Sequence, residues 1–286
     1  LNFMNKINII NLRDQIKIDP KIAINYNLLK ASWLQKSIRR GLKDKAYFIG
    51  NLYLEDNQEE GLKRRLKVFS TEDIGIATPE IIFVLDHFHD NPLKQIIALS
   101  GVYKNREADR FLLNTRDNYD KLIQSTDKNI KKEVSIMNEV LELSKIWFNN
   151  KRKKSNKDDI FNYFKNLDET NNYSKEINLC LNNYFQLSKF KTLGARTQLA
   201  FLVLLIIRNI KISHNRVNEI ITKVDNYKIK LKDFNFVDDW AIDKHTVQGK
   251  KLNRGYDFWV QFGSKVYPEK DYPSLYDEKG NLKYTY

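Results

Sequence analysis

Apolar residues recur along this chain at spacings of three and four, the period of a helix that buries one face. The strict apolar–polar alternation of a half-buried strand is rare, and two-residue glycine hairpin turns are missing through most of the chain. The spacing predicts one helix or two short ones over Ile22 to Leu42, with Leu34, Ile38 and Leu42 in one stripe. A second runs from Lys43 to Asp56, with Ala46, Tyr47, Ile49, Leu52 and Tyr53 inward. A third runs from Glu59 to Phe69, with Leu62, Leu66 and Phe69 inward and Lys63, Arg64, Arg65 and Lys67 outward. Further helices are expected over Pro79–Phe88, Pro92–Tyr103, Arg106–Ile123, Lys131–Asn149, Ile160–Leu167, Ser174–Lys189, Gly194–Ile210 and Asn215–Val224. Three of the five prolines follow a capping side chain, at Asp19-Pro20, Thr78-Pro79 and Asn91-Pro92, which is how helices begin. The expected fold is all-α.

The pattern breaks in two places. Asn149 to Asp159 carries a charge run and no apolar side chain, so it reads as a basic linker over residues 150–159. Lys151-Arg152-Lys153-Lys154 also fits a nuclear localisation signal, but a solvated loop is the simpler reading. From Phe234 the chain turns rich in Asp, Gly, Trp, Tyr and Lys, reading as an irregular C-terminal segment that becomes an extended arm from Gly263, with a turn at Asp277–Asn281. The organisation expected is a helical domain over 1–149, the linker, a second bundle over 160–233 and the segment 234–286.

Composition adds direction. The 286 residues are 42% hydrophobic and 12% aromatic, enough for a packed core. Lys and Arg number 49 against 36 Asp and Glu, a formal charge of +13, and the partners of such a surface are polyanions, nucleic acid first. An AT-rich genome also enriches Lys, Asn, Ile and Tyr. The single cysteine, Cys180, excludes an internal disulfide and a cysteine zinc cluster and suits a reducing compartment, cytoplasmic or nuclear. The longest apolar run, Leu199 to Ile207, is about half the ~20 residues that cross a bilayer, so it is expected to be a buried core helix and no membrane partner is expected. The first residues do not form a signal peptide.

No Gly-x-x-x-x-Gly-Lys-Ser/Thr phosphate loop, His-Glu-x-x-His or Gly-x-Ser-x-Gly is present, so nucleotide hydrolysis by this chain is not expected, no catalytic residue is assigned and no cofactor is implied. One constellation is specific. Lys36-Ser37-Ile38-Arg39-Arg40, then Leu62-Lys63-Arg64-Arg65-Leu66, then Ser70-Thr71-Glu72-Asp73-Ile74-Gly75-Ile76-Ala77 and Ile96 to Lys104 follow one another at helix-length intervals. In order and spacing, residues 30–115 resemble the C-terminal helical region of MgsA/RarA-type AAA+ ATPases, relatives of clamp loaders; the inserted Thr71 departs from the pattern. The resemblance implies a clamp-loader-collar-like fold, self-association, and a partner that is a separate AAA+ ATPase or replication protein. Read without it, Leu62, Leu66 and Phe69 are core, Ser70 or Thr71 caps a helix, and Glu72 and Asp73 face its positive end. The arginines are the better candidates for a ligand.

The densest group of reactive side chains is Asp238 to Trp259. Asp239 is expected to cap a short helix that buries Trp240 and Val247 and ends at Gly249. Lys250, Lys251 and Arg254 beside Gly255 suit a phosphate-contacting loop, and Tyr256, Phe258 and Trp259 suit base stacking. A metal reading takes Asp239, Asp243 and His245 as ligands; a nuclease reading takes Asp238, Asp243 and Lys244. A structural reading makes the segment a clasp, with Trp240, Ile242 and Phe258 as anchors and Asp243 paired to Arg254 or Lys250. Elsewhere, His87 and His89 fall on different helix faces and His214 is expected in a turn. The sequence thus points to a non-catalytic DNA-binding or assembly subunit in replication, recombination or repair of a viral or plasmid-like genome. Its candidate nucleic-acid contacts are Arg39, Arg40, Lys63, Arg64, Arg65, Lys250, Lys251 and Arg254. A metal-dependent nuclease and a structural protein of a virion or large assembly are the rival readings.

Overall fold

The computed structural model describes residues 7–16, 20–150, 152–190, 193–230, 234 and 236–267. Helices dominate, as the spacing requires, and the fold is all-α, with one two-residue strand pair among the described residues. The elements are β1 (Ile7–Asn8), α1 (Ile9–Ile16), α2 (Pro20–Arg39), α3 (Lys43–Glu55), α4 (Glu59–Phe69), α5 (Ile81–His87), α6 (Pro92–Gly101) and α7 (Glu107–Leu122). They continue with α8 (Lys128–Asn149), α9 (Lys154–Leu167), α10 (Ser174–Ser188), α11 (Leu193–Ile207), α12 (His214–Asp225), β2 (Phe236–Val237), α13 (Val247–Lys251) and α14 (Tyr256–Phe258). The Asp19-Pro20 cap and the turn at Asp277–Asn281 lie outside the described residues, as does all of the arm beyond Tyr267.

The chain forms two compact units. Of the described residues, the first takes 7–66, 87–103 and 218–267, and the second takes 67–86 and 104–217. The chain leaves and re-enters each unit, so this division does not follow the boundaries that composition suggested at 149 and 233. The expected linker is mostly helix. Arg152 takes a positive φ of 59° and donates to Ser188 O, and α9 starts at Lys154. The charge run reflects the solvated face of α9, whose inward side chains are Ile160 and Phe164.

In the second unit α11 is the central helix. Leu199 through Leu205 are fully buried, as the apolar run predicts for a helix covered on all sides. Its end is marked by Arg208, which pairs with Glu133 at 2.7 Å and Glu107 at 3.3 Å. Burial works against the Arg208 charge, but these two carboxylates outweigh it and raise the guanidinium above its ordinary value. Cys180 is buried in α10, where burial pushes its thiol well up, in keeping with a small core residue. His214 begins α12 rather than occupying a turn and lies edge-on to Phe83.

The Ser70–Ala77 stretch is a π-helical turn followed by one 3₁₀ turn. Neither hydroxyl caps a helix. Ser70 donates back to Lys67 O at 2.8 Å, and Thr71 meets Thr197 of α11 at 2.8 Å. Asp73 is buried 3.6 Å from Arg106 instead of facing a helix start. Gly75 sits at φ 52°, ψ −141°, and a Cβ there would lie 2.9 Å from Asn105 O. Gly75→Ala should therefore destabilise the second unit by about 1–3 kcal/mol, the cost of a side chain in glycine-only backbone space, read as a lowered denaturant midpoint.

The first unit is organised around α2. From Leu29 to Arg39 all but one of its side chains are buried, so it is a core helix that carries Lys30, Ser32, Lys36, Ser37 and Arg39 into the interior. α3 packs on α2 and on α6, with Ala46, Ile49, Leu52 and Tyr53 inward; Tyr47 is half-buried and Leu42 is exposed at the start of α3. Asn91 caps α6 by accepting from Lys94 N at 3.0 Å, with Pro92 at the first position, as its sequence predicts. The Thr78-Pro79 start instead forms a turn, with Ile81 N bonded to Thr78 O, so α5 begins two residues later. Among the described residues no helix is long and apolar enough to cross a membrane.

Candidate nucleic-acid interface

Buried cations on α2 need partners, because an uncompensated charge in the interior is too costly to keep. Lys30 finds Asp56 and lies over the rings of Tyr26 and Tyr53. The others find the C-terminal segment. Lys36 Nζ is 2.6 Å from Asp243 Oδ2 and 3.2 Å from Ala241 O, and Ser32 donates to the same carbonyl at 2.7 Å. Arg39 donates to Gly263 O at 3.1 Å, and its own carbonyl accepts from Tyr267 N at 2.6 Å. Arg40 donates to Phe262 O and stacks on Trp240, its guanidinium 4.1 Å from the ring centroid. Trp33 and Lys45 both donate to Asp238, at 2.7 Å each. The basic end of α2 and the acidic start of the distal segment are thus each other's partners.

The segment has its own internal frame. Asp239 to Ala241 form a 3₁₀ turn, and Thr246 rather than Asp239 caps α13, accepting from Gly249 N at 2.9 Å. Gly249 lies inside that helix, not at its end. Arg254 pairs with Asp239 at 2.6 Å and donates to Asp239 O and Ile242 O at 3.0 Å each. Ile242 and Trp259 are the buried anchors, while Trp240, Val247 and Phe258 are half-buried. Of the anchors the clasp reading named, Ile242 alone is buried, and its pairings are replaced: Asp243 goes to Lys36, and Arg254 to Asp239.

Asp243 is fully buried and also accepts from His245 N at 3.0 Å and meets His245 Nδ1 at 3.1 Å. Burial favours its neutral form, but the His245 bond and the Lys36 charge overcome this and hold the carboxyl well below the usual range. Burial likewise draws Lys36 down to about 8, against the pull of Asp243. Lys36, Lys45 and Arg254 occupy the carboxylates of Asp243, Asp238 and Asp239, and no group of three metal-ligating side chains gathers among the described residues. His87 and His89 stay apart, one edge-on to Phe88 and the other beside Asp90.

The candidate phosphate contacts separate accordingly. Arg39 is 3% exposed and lies inside the fold, and Arg40 is half-buried between Trp240 and Phe262 O. Arg254 is half-buried and turned inward on Asp239. Lys63 pairs with Glu59 at 2.8 Å; Arg64 and Arg65 are half-buried on the same helix. Lys250 and Lys251 are exposed. Around them, residues 244–267 contain five Lys and Arg against one carboxylate, Asp257. Three large rings in the same stretch are exposed, Tyr256 at 41%, Phe262 at 42% and Tyr267 at 70%. Lys265, also exposed, stands between the last two. Trp259, expected to stack, is instead buried beneath Lys244, which lies 4.6 Å from its ring centroid.

Sequence reasoning missed Phe262, Lys265 and Tyr267: Phe262 lies just past the Asp238–Trp259 group, and the stretch from Gly263 reads as an extended arm. A signal was present: Phe262 follows Phe258 by one helical turn, and the two rings meet at 4.9 Å. Comparison with protein-family models, curated proteins and solved structures finds no match to this chain.

Proposed function

We propose that this chain is a non-catalytic nucleic-acid-binding subunit whose contact surface is the 244–267 segment. The observation that carries the reading is the exposure of Lys250, Lys251 and Lys265 among exposed aromatic rings, on a frame fixed to α2 by buried polar bonds. A polyanion meets fixed positive charge there with a single acidic side chain to repel it. The net charge of +13 supports the same partner class. The resemblance of residues 30–115 to the MgsA/RarA C-terminal region supports a setting in DNA replication, recombination or repair, alongside a separate ATPase and with self-association through the helical part.

The test is a salt titration of binding to duplex, forked and single-stranded DNA. Affinity should fall steeply as salt rises, and Lys250→Ala/Lys251→Ala should reduce the slope by about two phosphate contacts. Arg64→Ala, on α4, should reduce it by no more than about one. An affinity indifferent to salt, or a double variant that binds like the wild type, would sink the reading and favour a structural role in an assembly.

A further inference from the structure

Phosphate contacts alone do not distinguish a duplex from a single strand, but exposed rings do. We infer that the ligand of this face is single-stranded nucleic acid, with Phe262 and Tyr267 as platforms for unpaired bases; this rests on the nucleic-acid reading above. In a duplex the base faces are stacked on one another and a protein ring gains nothing from them. In an unpaired strand every base offers a face, and losing one aromatic platform weakens binding roughly tenfold.

The backbone around these two rings is unusually well held. Phe262 O accepts from Arg40, Gly263 O accepts from Arg39 at 3.1 Å, and Tyr267 N donates to Arg39 O at 2.6 Å. Both platforms are therefore tied to consecutive residues at the end of α2. Phe258 backs the Phe262 ring at 4.9 Å and is covered in turn by Arg254, 4.6 Å from its centroid. Such anchoring lowers the ordering cost that a flexible arm would meet on binding. An isolated exposed ring needs no explanation, but here three exposed rings share one short stretch with exposed Lys250, Lys251 and Lys265, and charge complementarity selects a polyanion as the occupant.

The test uses the full chain and fluorescence anisotropy with a labelled oligo-dT, a mixed-sequence single strand and the matching duplex over one salt series, with affinities compared at matched salt. The single strands should bind more tightly than the duplex. Phe262→Leu/Tyr267→Leu should weaken single-strand binding by roughly tenfold or more and leave duplex affinity and the salt slope unchanged. Lys250→Ala/Lys251→Ala should weaken both ligands together. Circular-dichroism melts should show the exposed ring variant folding like the wild type. Equal affinity for strand and duplex, or a ring variant that weakens both alike, overturns the inference while the nucleic-acid reading stands. A ring variant that changes the sedimentation of the protein without changing its affinity also overturns it and assigns the rings to a contact between copies. Salt-sensitive binding to neither ligand removes the nucleic-acid reading itself.

Discussion

Asp243→Ala should lower the stability of the first unit by about 3–5 kcal/mol, the usual cost of breaking a buried ion pair from one side. The carboxylate is fully buried, and it compensates the Lys36 ammonium at 2.6 Å as well as the His245 N–H at 3.0 Å. Without it Lys36 keeps only neutral oxygens, Ser32 Oγ and Ala241 O. Burial already draws this amine down to about 8, so it should give up its proton rather than remain charged. Denaturant midpoints and thermal melts check the loss; a cost below about 1 kcal/mol, the range of exposed pairs, would mean that the pair is solvated. Lys36→Met/Asp243→Leu should recover most of the loss, because an apolar pair of similar volume carries no desolvation cost.

Acid should reproduce part of this effect. The folded-state carboxyl of Asp243 is held below its unfolded value, so its contribution is present above about pH 4 and is lost as the pH falls through the lowered folded value. The acid limb of the stability profile should accordingly be shallower in Asp243→Ala than in the wild type. Asp243→Asn should share that shallower acid limb, since it carries no titrating carboxyl, and at neutral pH its stability should fall between the two, because it keeps an acceptor for His245 but loses the charge.

Gly249→Ala should cost at least about 3 kcal/mol, more than a typical overpacked core position, because the obstacle is backbone. A Cβ at 249 would lie 1.9 Å from the carbonyl oxygen of Asp243 and 2.3 Å from its carbonyl carbon. The Asp243–Thr246 turn would have to open. That turn is held by Thr246 N and Thr246 Oγ1, each 2.9 Å from Asp243 O, and by the Thr246 cap on Gly249 N. Opening it also displaces Asp243 from Lys36. The effects of Gly249→Ala and Asp243→Ala should therefore fall short of additive in the double variant, as expected for residues sharing one set of contacts. A small, additive cost would show that α13 repacks without disturbing the pair.

The helical elements were legible in the sequence because they rest on local periodicity. α4 falls on Glu59–Phe69 as the spacing of Leu62, Leu66 and Phe69 predicts, and the Leu199–Ile207 run is the buried helix its length and composition imply. Errors collected where one local pattern has two physical causes. The charge run at 151–159 looked like a linker, yet most of it is the outer face of a helix whose inward residues begin at Ile160. Asp239 is the better cap by type, and only packing assigned the cap of α13 to Thr246.

The chain by itself determined an all-α fold and the stiff Asn91-Pro92 start, and it singled out two regions, Lys36–Arg40 and Asp238–Trp259; the demand for glycine at 75 came from the tertiary contact with Asn105 O. It did not determine that these regions are partners. A cation's side chain type is the same whether it meets phosphate or a carboxylate some two hundred residues away, and long-range pairing leaves no period to read. The tertiary structure placed Lys36 and Arg39 inside and left Lys250 and Lys251 outside. The reason is energetic: a buried charge persists only where the fold supplies its counterpart, as Asp243 does for Lys36, while Gly263 O accepts a hydrogen bond from Arg39. Lys250 and Lys251 stay exposed because the fold supplied no such burial for them.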